Sequence, residues 1–179
     1  MPVEALVIVD AQTGFLAGDK AIPDANHLIS RLEDLLARAR RARALVVHLQ
    51  NDGELGAVDE PRQSGWALHV QISLSPDETV IRKTTDDGFA RTALGELLDN
   101  RGVRRIAISG LLSEMCVSAT ARTALARGLQ VVLPHDAHAT YDLGDIPACI
   151  VARVAEHALG GEIELADSSA DVSFVAPPA

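Results

Sequence analysis

Aromatic side chains make up only 3% of the 179 residues: three Phe, one Trp and one Tyr. The core must therefore be aliphatic, and Phe15, Phe89, Trp66 and Tyr141 each have to serve as core or as pocket wall. Cysteine is also scarce. Cys116 and Cys149 are too few for a disulfide framework, which fits a reducing, cytoplasmic setting. Positive charge is in deficit, with 16 Lys and Arg against 25 Asp and Glu and a net charge of −9. A nucleic-acid backbone is therefore not an expected partner. The one basic cluster, Arg38, Arg40, Arg41 and Arg43, falls at a predicted helix C-terminus, where cations complement the helix dipole. No apolar run approaches the length of a membrane span, and Asp10 and Gln12 interrupt the first such run, so neither a membrane partner nor a leader is expected. Internal repeats and low-complexity linkers are missing too, so residues 1–179 read as one domain.

What the chain does have is alternation. Val3–Val9 is a nearly continuous apolar run, as in a strand buried on both faces. Leu28, Ile29, Leu32, Leu35 and Leu36 recur with the helical period. Ala44–Leu49 reads as a second strand, Gln50–Ser64 as a long polar loop, Thr79–Arg82 as a third strand and Phe89–Leu98 as a helix. Ile106–Ser109 reads as a strand broken at Gly110, followed by a helix that ends at Gly128. Leu129–Leu133, Ile146–Leu159 and Glu162–Leu165 complete a strand–helix–strand pattern. Such alternation predicts an α/β domain with a largely parallel sheet covered on both faces. Ligand crevices in such sheets lie beyond the carboxyl ends of the strands.

Three reactive side chains share that address. Asp10 follows the first strand, Lys83 follows Val80-Ile81-Arg82, and Cys116 lies between the Ile106 strand and the next helix. A thiol near a helix N-terminus is expected to have a depressed pKa; the competing reading of Cys116 is a buried, inert cysteine. Together the three groups suffice for covalent acyl chemistry. The carboxylate takes the thiol proton and later hands it to a leaving amine, the ammonium steadies both anions, and backbone N–H groups hold the oxyanion. Gln12 and Tyr141 are candidates for hydrogen bonds to substrate, and Phe15 and Trp66 for pocket walls. For Phe15 the alternative is core packing; for Trp66 the alternatives are an oligomer interface or a pocket contributed to a neighbour. Cys149 falls on the expected apolar face of the last helix and reads as structural. His48 reads as a pocket or core residue, and the remaining histidines do not cluster at metal-ligand spacing, so no metal and no cofactor are expected.

Leu6-Val-Ile-Val-Asp10-Ala-Gln12 with Phe15, Val80-Ile-Arg-Lys83, Gly110-Leu-Leu-Ser-Glu-Met-Cys116-Val117 with Thr120-Ala121, and Asp136-Ala137 occur in one order along the chain. In this combination the sequence resembles the isochorismatase-like cysteine hydrolases, the superfamily that includes nicotinamidases and N-carbamoylsarcosine amidohydrolases. The resemblance implies a Rossmann-like three-layer α/β/α fold with a six-stranded, mainly parallel sheet. It also implies an Asp10–Lys83–Cys116 triad, a non-proline cis peptide at Leu111–Leu112 beside the oxyanion site at Cys116, and a homo-oligomer, dimer or tetramer. The Asp-x-His metal motif of nicotinamidases has no match in Val47-His-Leu-Gln-Asn-Asp-Gly53. That segment, with Gly65-Trp66, is most similar to the streptothricin-hydrolase-like branch of amidases. The implied activity is hydrolysis of a C–N bond (amide, carbamoyl or lactam) in a small molecule. Two alternatives stand beside it: isochorismatase-type ether hydrolysis through Asp10, and a non-catalytic binding or redox protein with a reactive thiol.

Overall fold

The computed structural model describes residues 1–73 and 75–178; Leu74 and Ala179 lie outside them. Its centre is a parallel sheet in the order β3-β2-β1-β4-β5-β7. The strands are β1 (Ala5–Val9), β2 (Leu45–Asn51), β3 (Glu78–Lys83), β4 (Arg105–Leu111), β5 (Gln130–Pro134) and β7 (Glu164–Ala166). The expected six strands are this continuous path. A two-residue strand, β6 (His138–Ala139), pairs with the end of β4 and makes a seventh.

Strand alternation divides the core into two layers. Leu6 and Ile8 of β1 point to one face, where α2 (Ala25–Ala42) lays down Leu28, Leu32, Leu35, Leu36 and Ala39. Ala5, Val7 and Val9 point to the other, against α3 (Leu94–Asn100), α4 (Ser118–Ala126) and α5 (Ala148–Leu159). Both faces are covered at the centre of the sheet, so β1 and β4 are buried along their whole length, whereas the edge strand β3 mixes buried and exposed residues. No helix among the described residues is long and apolar enough to cross a membrane.

Several boundaries differ from the sequence reading for identifiable reasons. Residues 11–20 contain a one-turn helix, α1 (Thr13–Leu16). The helix expected from Phe89 starts only at Leu94, because side chains hold the preceding residues in turns: Asp87 accepts from the Phe89 N–H at 2.9 Å and Thr92 donates to the Gly88 carbonyl at 2.6 Å. Such local bonds compete with helix. Cys149 is exposed rather than structural, because the buried face of α5 is Val151, Ala155, Glu156 and Leu159. The strand expected to break at Gly110 continues through it. Gly110 sits at φ 117°, and a Cβ there would run into the Val9 backbone. Glycine thus lets β4 lie close against β1 where both strands end.

The order of connection reverses between β1 and β4. From that point the chain proceeds outward through β2 and β3 on one side and β5 and β7 on the other. This is the switch point at which a parallel sheet opens a crevice beyond its strand ends.

Candidate active site

β1 delivers Asp10 to the switch point. Asp10 takes the left-handed conformation, φ 49°, which a short polar side chain tolerates better than most. Its N–H still bonds the Leu49 carbonyl of β2 at 3.0 Å, so the chain turns immediately after its last sheet bond. Lys83 ends β3, two strands away, and its side chain crosses the end of β2. Its Nζ lies 2.7 Å from Asp10 Oδ2, with the lysine side chain wholly buried and the carboxylate 4% exposed. The same Nζ lies 3.4 Å from Cys116 Sγ, 3.1 Å from the Thr85 carbonyl and 3.4 Å from Asn51 Oδ1. Cys116 stands on a π turn, Ser113–Val117, that joins β4 to α4. The three sequence-predicted groups therefore meet at one edge of the sheet. The peptide bond Leu111–Leu112, just before the turn, is cis, as the resemblance implies.

The electrostatics depart from expectation in one respect. The Cys116 thiol is pushed up, not down: burial is the main cause, and the negative charge of Asp10 adds to it while Lys83 opposes. A helix start does not lower a thiol that is largely removed from water with a carboxylate on each side. Burial also raises Asp10, to about 6, against the pull of Lys83. Burial disfavours the Lys83 ammonium, but Asp10 and Cys116 together outweigh it and hold the lysine above its ordinary range. The resting arrangement is a neutral thiol beside a carboxylate of raised basicity. Asp10 Oδ1 is buried and has no hydrogen-bond partner. It is a free acceptor of the kind that a general base needs.

The four pocket candidates separate. Gln12 is fully buried; its amide donates to the carbonyls of Asn51 and Trp66, both at 3.0 Å, and accepts from the Asn51 N–H at 2.9 Å. Its placement is that of a clamp on the loop after β2, not of a group turned toward a substrate. Phe15 packs half-buried on the α2 side of the core. Trp66 hydrogen-bonds Asp52 at 2.9 Å, carries the Arg82 guanidinium 5.0 Å from its ring centroid, and lines a groove of about 420 Å³ with Leu55, Pro61 and Arg82. Tyr141 is half-buried and donates to the Lys20 carbonyl at 2.6 Å. Buried Asp59 lies near enough to disfavour negative charge on both Tyr141 and Asp10.

Sequence reading missed Asn51, Asp59, Thr85 and Asp86. Asp86 is exposed, with Oδ1 3.5 Å from Cys116 Sγ. Asn51 held a readable signal, since it ends β2 and so shares the triad's address. Asp86 had a weaker one, three residues beyond Lys83.

The chain matches the isochorismatase domain over residues 4–155 and belongs to that family. Two streptothricin hydrolases of Streptomyces noursei are 55% and 56% identical to it, over 99% and 98% of this chain and 73% and 66% of theirs. It thus spans roughly two thirds to three quarters of those relatives. The ureidoacrylate amidohydrolase of Variovorax paradoxus is 28% identical over 78% of this chain and 69% of its own. The crystal structure of an isochorismatase from Pseudomonas putida KT2440 superposes with a TM-score of 0.87 at 26% identity, covering 96% of this chain and 93% of that one.

Proposed function

We propose that this enzyme hydrolyses a C–N bond of a small amide, carbamoyl compound or lactam through a thioester on Cys116. The observation that carries the proposal is the contact of Lys83 Nζ with both Asp10 Oδ2, at 2.7 Å, and Cys116 Sγ, at 3.4 Å. Asp10, with its free buried oxygen, takes the thiol proton as sulfur bonds the carbonyl carbon. Backbone N–H groups around Leu112 and Cys116 receive the oxyanion. The C–N bond then breaks, and Asp10 returns the proton to the departing amine. Water attacks the thioester, giving its proton to Asp10. The S–C bond breaks, the acid leaves, and the proton passes back to sulfur. Lys83 stays charged throughout and stabilises whichever partner is anionic.

Because the thiol is pushed up at rest, its proton must move as the bond forms. A free thiolate waiting for substrate does not fit this site. The similarity to streptothricin hydrolases puts streptothricin first on the substrate panel, ahead of ureido acids, nicotinamide and simple amides. The test is amine or ammonia release from that panel by the parent enzyme and by Cys116→Ala. Loss of about 10³-fold or more in kcat, with the melting temperature retained, is the expected result. An alanine variant at full activity overturns the nucleophile assignment; ether cleavage through Asp10, which does not need the sulfur, is supported instead if the parent releases nothing from the amide panel but cleaves a vinyl ether and Cys116→Ala does so equally well.

A further inference from the structure

The turn that carries Cys116 is held by a second group of polar residues, which the mechanism above does not use. Ser113 opens the turn and is 1% exposed. Its Oγ meets His138 Nδ1 of β6 at 2.8 Å. The other nitrogen of that ring, Nε2, meets Glu156 Oε1 of α5 at 3.1 Å, and His135 Nδ1 reaches the same oxygen at 2.7 Å. Arg153 Nε lies 3.4 Å from Glu156 Oε2. The His138 side chain has no exposed surface and that of Glu156 has 3%. His135, His138 and Glu156 floor a groove of about 410 Å³ whose lining includes none of Asp10, Lys83 and Cys116.

Proton positions follow from this geometry. Burial works to raise Glu156, but the hydrogen bonds from His138 and His135 outweigh it and keep the acid below its ordinary range. An ionised carboxylate offers only lone pairs, so His138 Nε2 carries its hydrogen. At the other nitrogen, Nδ1, the Ser113 hydroxyl closes the hydrogen bond that completes the chain from carboxylate to hydroxyl. The order carboxylate–imidazole–hydroxyl is that of a serine nucleophile's support, but this serine is enclosed and no substrate can reach it. The Ser113 carbonyl accepts from Ser118 Oγ at 2.7 Å, so the first residue of the turn is tied to the start of α4 as well.

We propose that Ser113, His138 and Glu156 are positioning residues that fix the turn against β6 and α5 and thereby keep the Cys116 sulfur on Lys83 and Asp10. This rests on Cys116 being the nucleophile. A fully bonded buried network favours one arrangement over its neighbours, which apolar packing alone specifies less sharply. Displacing a reacting atom by about 1 Å costs up to about a hundredfold in rate.

The test uses a Cys149→Ser background, so that the exposed second thiol takes up no reagent. In it, Ser113→Ala and the isosteric Glu156→Gln are compared with the parent for three quantities: alkylation of Cys116 by iodoacetamide without substrate, kcat, and KM. Expected is a fall of about tenfold in both alkylation rate and kcat for Ser113→Ala, and about threefold for Glu156→Gln, with KM within about twofold, at a temperature where each variant is fully folded. Alkylation at or above the parent rate in the folded variants overturns the proposal, as does a loss confined to KM. If Ser113→Ala does not fold, Glu156→Gln alone decides. The alkylation readout needs no turnover, so an active Cys116→Ala enzyme would remove the nucleophile while this measurement still judged the relay.

Discussion

Two of the buried polar clusters in this sheet differ in kind. Glu78, beside His48 of β2, brings charge into the start of β3, with Arg40 reaching in from α2. Asp10, Lys83 and Cys116 bring it to the strand ends. Glu78 is saturated: Oε1 takes His48 Nε2 at 2.9 Å, Arg40 at 2.7 Å and the Ser73 N–H at 3.1 Å, and Oε2 takes Arg40 Nε at 2.9 Å. Burial would raise this acid, but Arg40 and the other donors hold it below the ordinary range. Burial holds His48 down, toward the neutral ring, which leaves only the weak lone pair of Nδ1 without a partner. Asp10 instead has a whole carboxylate oxygen unsatisfied and is raised to about 6. The first cluster has spent its hydrogen-bonding capacity on structure; the second keeps some for chemistry.

Substitutions that separate activity from stability put this contrast at risk. The largest effect is expected from Asp10→Asn, which keeps the shape and removes the base: kcat should fall by about 10³-fold or more, measured as product release from the amide that the parent turns over. Equal activity in this variant would break the contrast outright. Glu78→Ala should do the opposite. It leaves the buried His48 N–H and the Ser73 N–H without their acceptor and frees a part-exposed guanidinium, and should cost about 1–3 kcal/mol in denaturant unfolding, with kcat of the folded fraction within about twofold.

The pH dependence sharpens the comparison. Asp10 titrates from 3.8 when unfolded to about 6 when folded. The folded state thus holds this proton more tightly, so its contribution to stability is greatest below pH 4 and is lost as pH rises through about 6. The loss amounts to roughly 3 kcal/mol. Asp10→Asn should abolish that part of the slope in unfolding measured between pH 4 and 7. Activity should run the other way, with kcat/KM rising through about pH 6 as the base is freed. A profile flat across that window would remove Asp10 as the base. The smallest effect concerns Asp86, whose carboxylate faces the thiol from the solvent side. Asp86→Asn should raise the rate of Cys116 alkylation by anionic iodoacetate relative to neutral iodoacetamide by about two- to fivefold, the scale of one exposed charge a few ångströms away. An unchanged ratio would mean that the carboxylate does not act on the sulfur.

The strands, their parallel arrangement and the shared address of Asp10, Lys83 and Cys116 were legible because each rests on local pattern: apolar runs, turn residues and the rule that parallel strands present their ends on one side. Less legible were properties made only by assembly. The raised thiol of Cys116 comes from burial and from carboxylates thirty or more positions away in the chain. Gln12 looked like a group for a substrate because nothing local shows that its amide is already taken by Asn51 and Trp66. The late start of α3 depends on side-chain bonds from Asp87 and Thr92 that outcompete the helical period. His138 read as one residue of a polar loop, and only the pairing of β6 with β4 places it beneath the turn that carries Cys116.

The pairing of Asp10 with Lys83 also bears on how such a chain would drift. Exchanging both for aliphatic residues of similar volume removes two desolvated ions, a change that often leaves a protein as stable as before or more so. A duplicate gene released from its chemical task would have that exchange open to it, with the scaffold kept and the reactivity gone. Both charges standing together in a descendant would therefore be a mark of continuing selection for turnover rather than for folding.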